Sequence, residues 1–282
     1  MELRLASALV PTGGTSPASK QSRGFDMTRR RFYATPNSFN SDKTSATLNA
    51  DETRHLRDVL RLTIGDEVYV FDGEGREFRC AIAEVDRTSA RLRIIEEVTA
   101  ASPESALNLT LAVALLKGEQ FDLVVQKATE LGVTSLIPII TSRADIKIKS
   151  DDDAERKITR WRRIALEATK QCGRAKLMKI DPPISFAEFV ARPPVNLAVS
   201  DELCLMFSER EGISLANAVD SIEQPSSVKA IVGSEGGWTD EELTLARELG
   251  WTIVTLGGRT LRAETAAIAV VVLLQHLAGD LV

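Results

Sequence analysis

Between Val228 and Leu274 the chain does the same thing twice: an apolar run that reads as a buried strand ends in paired glycines, and a helix follows. Gly233, Gly236 and Gly237 come after the run Val228–Val232. Gly257 and Gly258 come after Thr252–Thr255. Thr239 with Glu242 three residues later has the spacing of a capping box, which places a helix start beyond the first glycine loop. The pattern extends upstream. Leu109 to Leu115, a helix from Glu119 to Leu131, Ser135 to Ile140, a long helix from Ala154 to Cys172, and Val195 to Val199 precede it. A helix from Asp240 to Leu249 and a last one from Glu264 to Ala278 complete it. Buried strands alternating with helices of these lengths predict a parallel sheet with helices on both faces. Ligands of such sheets collect at the carboxyl ends of the strands, where both glycine loops lie.

The first third has a different texture. Arg31 to Ala34, Glu67 to Phe71, Glu77 to Val85 and Arg91 to Glu96 read as short strands, punctuated by Gly65-Asp66 and by Asp72-Gly73-Glu74-Gly75. Asn49 followed by Glu52 announces one helix, with Leu56, Val59 and Leu60 as its expected apolar face. Arg54, Arg57 and Arg61 follow a spacing of three and four, so they are expected on one face. The expected division is a tail over 1–27, a small β barrel or sandwich over 28–98, a linker over 99–107 and the α/β part over 108–282. The tail, rich in Ser, Gly, Pro and Thr, reads as disordered. A transit peptide competes with that reading, against which Glu2, Asp26 and the scarcity of Arg weigh, and Met27 is an alternative start.

A formal charge of −5 argues against a protein that coats nucleic acid, but the charge is unevenly spread. Residues 141 to 179 carry twelve Lys and Arg against six Asp and Glu, a local excess of six positives. Three separated cysteines offer no CxxC pair, and two distant histidines no metal set, so neither a disulfide framework nor a metal is expected. The longest apolar run, Ala266 to Leu274, is about half a membrane span, so no membrane association is expected. The glycine loops lack GxGxxG and GxxxxGK[ST], and Glu235 would repel a phosphate. An adenine and ribose carrying a cationic sulfonium suits them better.

The stretches GSEGGWTDEE and LGGRTLRAETA, followed by an apolar helix, resemble the signature of the RsmE family, the ribosomal RNA uridine N3-methyltransferases of the SPOUT superfamily. RRFYA, HLRDVLRLTIGDEVYVFDGEG, KGEQFDLVVQKATELGV and EATKQCGR match in the family's order, from about Arg30 to the C-terminus. The resemblance implies a SPOUT-type α/β domain tied in a trefoil knot, preceded by a PUA-like β barrel that grips RNA. It implies a cytoplasmic homodimer, S-adenosylmethionine as cofactor, and 16S ribosomal RNA or the small ribosomal subunit as partner. Carried onto matching positions, the cofactor residues are Gly233, Glu235, Gly236, Leu256, Gly257, Leu261 and Arg262. Ser234, Thr260 and Met178 depart from the family pattern, and Ser234 in place of the usual Pro implies a less rigid loop.

Methylation at N3 of uracil requires that a proton leave. A cation that polarises the uracil carbonyls and a base are therefore expected nearby. Arg262 is the candidate cation, and Glu264 or Glu235 the candidate acceptor. A carboxylate favoured by a helix N-terminus is the competing reading of Glu264. Arg29, Arg30, Arg31, Arg54, Arg57 and Arg61 are expected to hold RNA phosphates, and Arg174 to contact RNA or an interface. Lys127 and Glu130 read as a surface ion pair, with Gln126 and Gln171 nearby in the family's motifs. Two other functions stay open: a non-catalytic RNA-binding or ribosome assembly factor of the same fold, and an enzyme that uses GSEGG as a phosphate loop.

Overall fold

The computed structural model describes residues 29–146, 148–192, 202–220 and 225–281. The expected tail and the strand expected at Val195–Val199 lie outside these residues. A five-stranded sheet comes first: β1 (Arg31–Tyr33), β2 (Ser45–Leu48), β3 (Glu67–Phe71), β4 (Glu77–Val85) and β5 (Ala90–Val98), in the order β1-β3-β4-β5-β2. Its β1–β3 pair is parallel and the others antiparallel. The inward residues Phe32, Leu48, Val68, Val70, Phe78, Ile82 and Leu92 form one core. Leu56 closes it from helix α1 (Ala50–Arg54) and the turn that extends it.

That extension is a π turn, His55–Val59, and it corrects two expectations. A π turn spends an extra residue per revolution, so positions beyond it fall out of the 3.6-residue phase. Leu56 is buried as expected, but Val59 is 64% and Leu60 37% exposed. Arg61 has left the helix altogether at φ +55°, so it does not continue the face of Arg54 and Arg57.

The second sheet is parallel throughout. It comprises β6 (Asn108–Ala114), β7 (Ser135–Ile140), β8 (Lys179–Ile180), β9 (Ile184–Ser185), β10 (Glu202–Phe207), β11 (Ile213–Ser214), β12 (Ser227–Val232) and β13 (Thr252–Thr255). The order is β11-β13-β10-β12-β6-β7-β8, with β9 beside β7. Strand β10 stands between β12 and β13. The sequence hid it, because Asp201-Glu202 opens the run and Cys204 and Met206 lack β-branching. One face carries α2 (Gln120–Glu130), α3 (Asp151–Cys172), α5 (Leu215–Asp220) and α7 (Ala263–Ala278), over Leu111, Val113, Leu205 and Val232. The other carries α4 (Phe186–Val190) and α6 (Asp240–Glu248), over Ala112, Ile139, Met206 and Ile231. Alternate residues of the central strands thus serve opposite faces, which is why each strand reads as continuously apolar.

One face of α3 is apolar: Ile158, Trp161, Ala165 and Ala168 are buried and Ile164 partly so. Ser150 caps its start by accepting from the Asp153 amide, and Gly173 ends it at φ +88°. The two sheets meet at that end. Arg31 reaches from β1 to donate to the carbonyls of Thr169, Lys170 and Arg174, while its other nitrogens grip Glu77. Among the described residues, no helix is long and apolar enough to cross a membrane.

Candidate cofactor pocket and active site

Register brings the strand ends level: Val232 pairs with Phe207 and with Val113, and Phe207 pairs with Val254. The loops that follow β10, β12 and β13 therefore emerge side by side. They surround a cavity of about 120 Å³ lined by Phe207, Ser208 and Glu209 from the first, by Gly233, Ser234, Glu235, Gly237 and Trp238 from the second, and by Leu256, Gly257, Arg259, Thr260 and Leu261 from the third. Ala263 and Ala266 of α7 complete the wall.

Each loop is braced by identifiable contacts. Trp238 is fully buried, donates from Nε1 to the Phe207 carbonyl at 2.7 Å, and stacks near Phe186. It ties the glycine loop to β10. Thr239 and Glu242 form the expected capping box, and the second oxygen of Glu242 accepts from the Ser142 amide at 2.9 Å. That bond brings the segment after β7 against the loop. Arg143 donates to the Gly236 carbonyl, and the Ser234 hydroxyl donates to the Arg143 carbonyl at 3.3 Å. Ser234 thus replaces ring stiffness with a hydrogen bond.

Gly236 is bare for want of room, since a Cβ there would stand 2.8 Å from Arg143 Cβ and 2.9 Å from its carbonyl oxygen. Gly257 is bare for a conformational reason, at φ +83° with open space around it. The space is the cavity.

Five of the seven expected cofactor residues, Gly233, Glu235, Leu256, Gly257 and Leu261, line the cavity. Gly236 and Arg262 do not. Gly236 faces Arg143, and Arg262 is the N-cap residue of α7, whose carbonyl accepts from Ala266 while its guanidinium is exposed. Glu264 lies in the first turn of α7 and is 9% exposed. The loop after β10, with Ser208 and Glu209, was missed together with its strand. Its signal was the apolar run Leu203–Phe207 before Ser208.

The arginines divide. Arg31 and Arg174, expected at RNA, are interior. Arg174 is 4% exposed and is held by Glu104 and by the carbonyls of Thr129 and Val133. Arg31 has no donor left for a phosphate, and the burial of Arg174 keeps it from one. Arg30, Arg54, Arg57 and Arg61 are at the surface, and Arg29 is partly covered over the Tyr69 ring. Arg54 pairs with Asp51 and Arg57 with Asp58. The Arg57 hydrogen bond holds the Asp58 carboxyl below its ordinary value. Lys127 and Glu130 form their expected pair at 2.7 Å beside Gln126 and Gln171, in a groove between α2 and α3.

The donor set suits a cation better than a phosphate. Glu209 has no hydrogen-bond or ion-pair partner among the described residues, and the cavity lining carries two carboxylates, Glu209 and Glu235, against the single cation of Arg259. The residues fit an adenosyl ligand with a sulfonium: small backbone-lined loops, apolar walls at Phe207, Leu256 and Leu261, and carboxylates at Glu209 and Glu235. No cluster of three or more metal-ligating side chains occurs among the described residues.

The sequence profile of the RNA methyltransferase domain matches residues 103–275, and that of the RNA methyltransferase PUA domain residues 48–95. The chain is 31% identical over 263 residues to ribosomal RNA small subunit methyltransferase E of Synechocystis, covering 93% of this chain and 82% of that one. It is 30% identical over 223 residues to the Bacillus subtilis protein of the same name, covering 78% and 85%. A crystal structure of a ribosomal RNA small subunit methyltransferase E from Neisseria gonorrhoeae, bound to S-adenosyl methionine, superposes with a TM-score of 0.78 at 32% identity, covering 90% of this chain and all of that one. Similar in sequence and in fold along most of its length, the chain belongs to the ribosomal RNA small subunit methyltransferase E family.

Proposed function

We propose that this protein methylates N3 of a specific uridine in 16S ribosomal RNA, taking the methyl group from S-adenosylmethionine. The observation that carries the reading is the cavity itself, built from two glycine loops at the carboxyl ends of parallel strands and lined by two carboxylates, Glu209 and Glu235, against one cation, Arg259. S-adenosylmethionine, when bound, supplies a methyl group on a positively charged sulfur.

The residues of this chain do the rest. Gly233, Glu235, Leu256, Gly257 and Leu261 hold the ligand, with Gly236 shaping the loop behind them. Arg262, exposed at the head of α7 and without a side-chain partner among the described residues, stabilises charge that spreads onto the uracil oxygens. Glu264, one residue pair further along the same turn, takes the N3 proton, with Glu235 as the alternative acceptor. Residues 28–98 grip RNA through Arg29, Arg30, Arg54, Arg57 and Arg61, and 108–282 carry the chemistry beyond a linker at 99–107. The working form is a cytoplasmic homodimer, consistent with Leu123, Val272, Leu273 and Leu277, which leave apolar surface open on α2 and α7.

The test is methyl transfer to 16S ribosomal RNA and to small subunits, with nucleoside mass spectrometry to locate the methyl group. Arg262→Ala should slow transfer by at least about a hundredfold and leave calorimetric affinity for S-adenosylhomocysteine within about threefold. A product other than N3-methyluridine, or full activity in the variant, overturns the reading.

A further inference from the structure

Helices α2 and α3 leave a groove between them. Its α3 rim is Arg163, Glu167 and Gln171, which recur every four residues and so share one face. Gln126, Lys127 and Glu130 form the α2 rim, and the more covered Ile164 and Ala168 supply an apolar lining. The groove continues at both ends. Gln126 and Ile164 also line the recess that holds Glu264, and Glu167 also lines the recess that holds Glu52, Arg54 and His55. A single trench therefore leads from the proposed proton acceptor on α7 to an arginine beside the first sheet.

Most charge along this trench is already spent. Lys127 pairs with Glu130, and Lys170 bridges Glu167 and Glu52. The other cations of α3 are engaged as well: Arg156 and Lys157 with Asp153, Arg160 with Asp122, and Arg162 with the Ile180 carbonyl. Arg163 is the exception. Neither it nor the side-chain amide of Gln126 or Gln171 has a partner among the described residues. What the groove has to offer is thus one cation and two amides, spread beside apolar surface over the eight residues from Arg163 to Gln171, about 12 Å of helix. An amide carries both a donor and an acceptor, as the edge of an unpaired base does, and a lone guanidinium suits the phosphate that joins two such bases.

We infer that this groove holds the single-stranded RNA next to the modified uridine, with Arg163 on a phosphate and Gln126 and Gln171 on the edges of flanking bases. The inference rests on the proposed reaction at the Glu264 end of the trench. It divides the labour of recognition: the arginines near the first sheet set the register of the backbone, and the two glutamines read sequence.

The test uses the full chain and 16S ribosomal RNA. Arg163→Gln should weaken RNA binding and lower the slope of log affinity against log salt by about 0.7, the loss of one single-strand phosphate contact, and Arg163→Lys should restore that slope. Gln126→Ala combined with Gln171→Ala should weaken binding about tenfold at an unchanged slope, because no charge is removed. In transcripts altered one nucleotide at a time around the modified uridine, at least one flanking position should slow methylation by the wild type and not by the glutamine double variant. Calorimetric affinity for S-adenosylhomocysteine should stay within about twofold in every variant, since the cavity lies elsewhere. Wild-type RNA affinity and specificity in these variants, or a salt slope that falls equally in both classes, overturns the inference. So does a change of oligomeric state in sedimentation, which would make the groove a contact between copies. If the wild type methylates no uridine, the underlying function fails; if it does so and the groove variants match it, only this inference fails.

Discussion

Cys80 has no exposed surface, and burial among Phe32, Leu56 and Leu92 pushes its thiol up to about 12 from an ordinary 9.0. Cys204, half-buried on β10, is pushed up to about 11 for the same reason. Both thiols stay protonated near neutrality, which removes them as nucleophiles. They also set an alkaline limit. Because the folded values lie above that of an unfolded chain, the stability they contribute is whole below about pH 9 and is lost as pH rises toward 12. Urea denaturation should show stability falling above pH 9, and Cys80→Ala should reduce that slope by up to about 1.4 kcal/mol per pH unit. An unchanged slope would show that the thiol ionises without unfolding.

At the scale of elements, the long strands and helices were legible because each obeyed one period throughout. Strands β3 and β4 fall where the sequence put them, and α2, α6 and α7 begin or end within a residue of expectation. What was not legible depended on context. Strand β2 is the mixed run Ser45-Ala46-Thr47-Leu48, recognisable only by its pairing with β5. The π turn after α1 comes from how Leus 56 and 62 must both reach one core, since Leu62 donates its amide back to the Leu56 carbonyl. Among cavity-lining residues, glycines such as Gly233 and Gly257 could be placed at strand ends from sequence. Long cations could not be sorted: the pattern alone does not separate Arg57, which is half-buried at the surface, from Arg31, which is buried. In the short helix, Arg57 is held back by Asp58. Asp58→Asn should free it and tighten RNA binding, whereas Arg57→Ala should weaken binding evenly across sequences and lower the slope of log affinity against log salt by about 1. Filter binding over a salt series distinguishes these outcomes from a purely structural ion pair, for which neither variant would matter.

For the molecule as a whole, the decisive contact is Arg31. Its guanidinium is shared between Glu77, which has no exposed surface, and three carbonyls at the end of α3. The Glu77 carboxylate also accepts from the Ala101 amide, so the expected linker is tied into the same knot of bonds. Lys170 of α3 adds a pair with Glu52. Replacing Arg31 by Met should cost about 3 kcal/mol, because the buried Glu77 carboxylate loses the nearer of its two arginines and keeps only Arg29 at 3.6 Å. Arg31→Met combined with Glu77→Gln should recover part of that loss. Denaturant titration of the two variants checks both signs, and equal stability of Arg31→Met and wild type would mean that the sheets are held together by other contacts.

That shared guanidinium gives the proposed enzyme a property of measuring instruments. Two jaws fixed to one bar report a length, and β1 and α3, pinned at Arg31, leave little play between the surface arginines of the first sheet and the mouth of the cavity in the second. The uridine to be modified would then be chosen as much by its span from the gripped backbone as by its own edges, and a loosened bar would misplace the mark before it erased it.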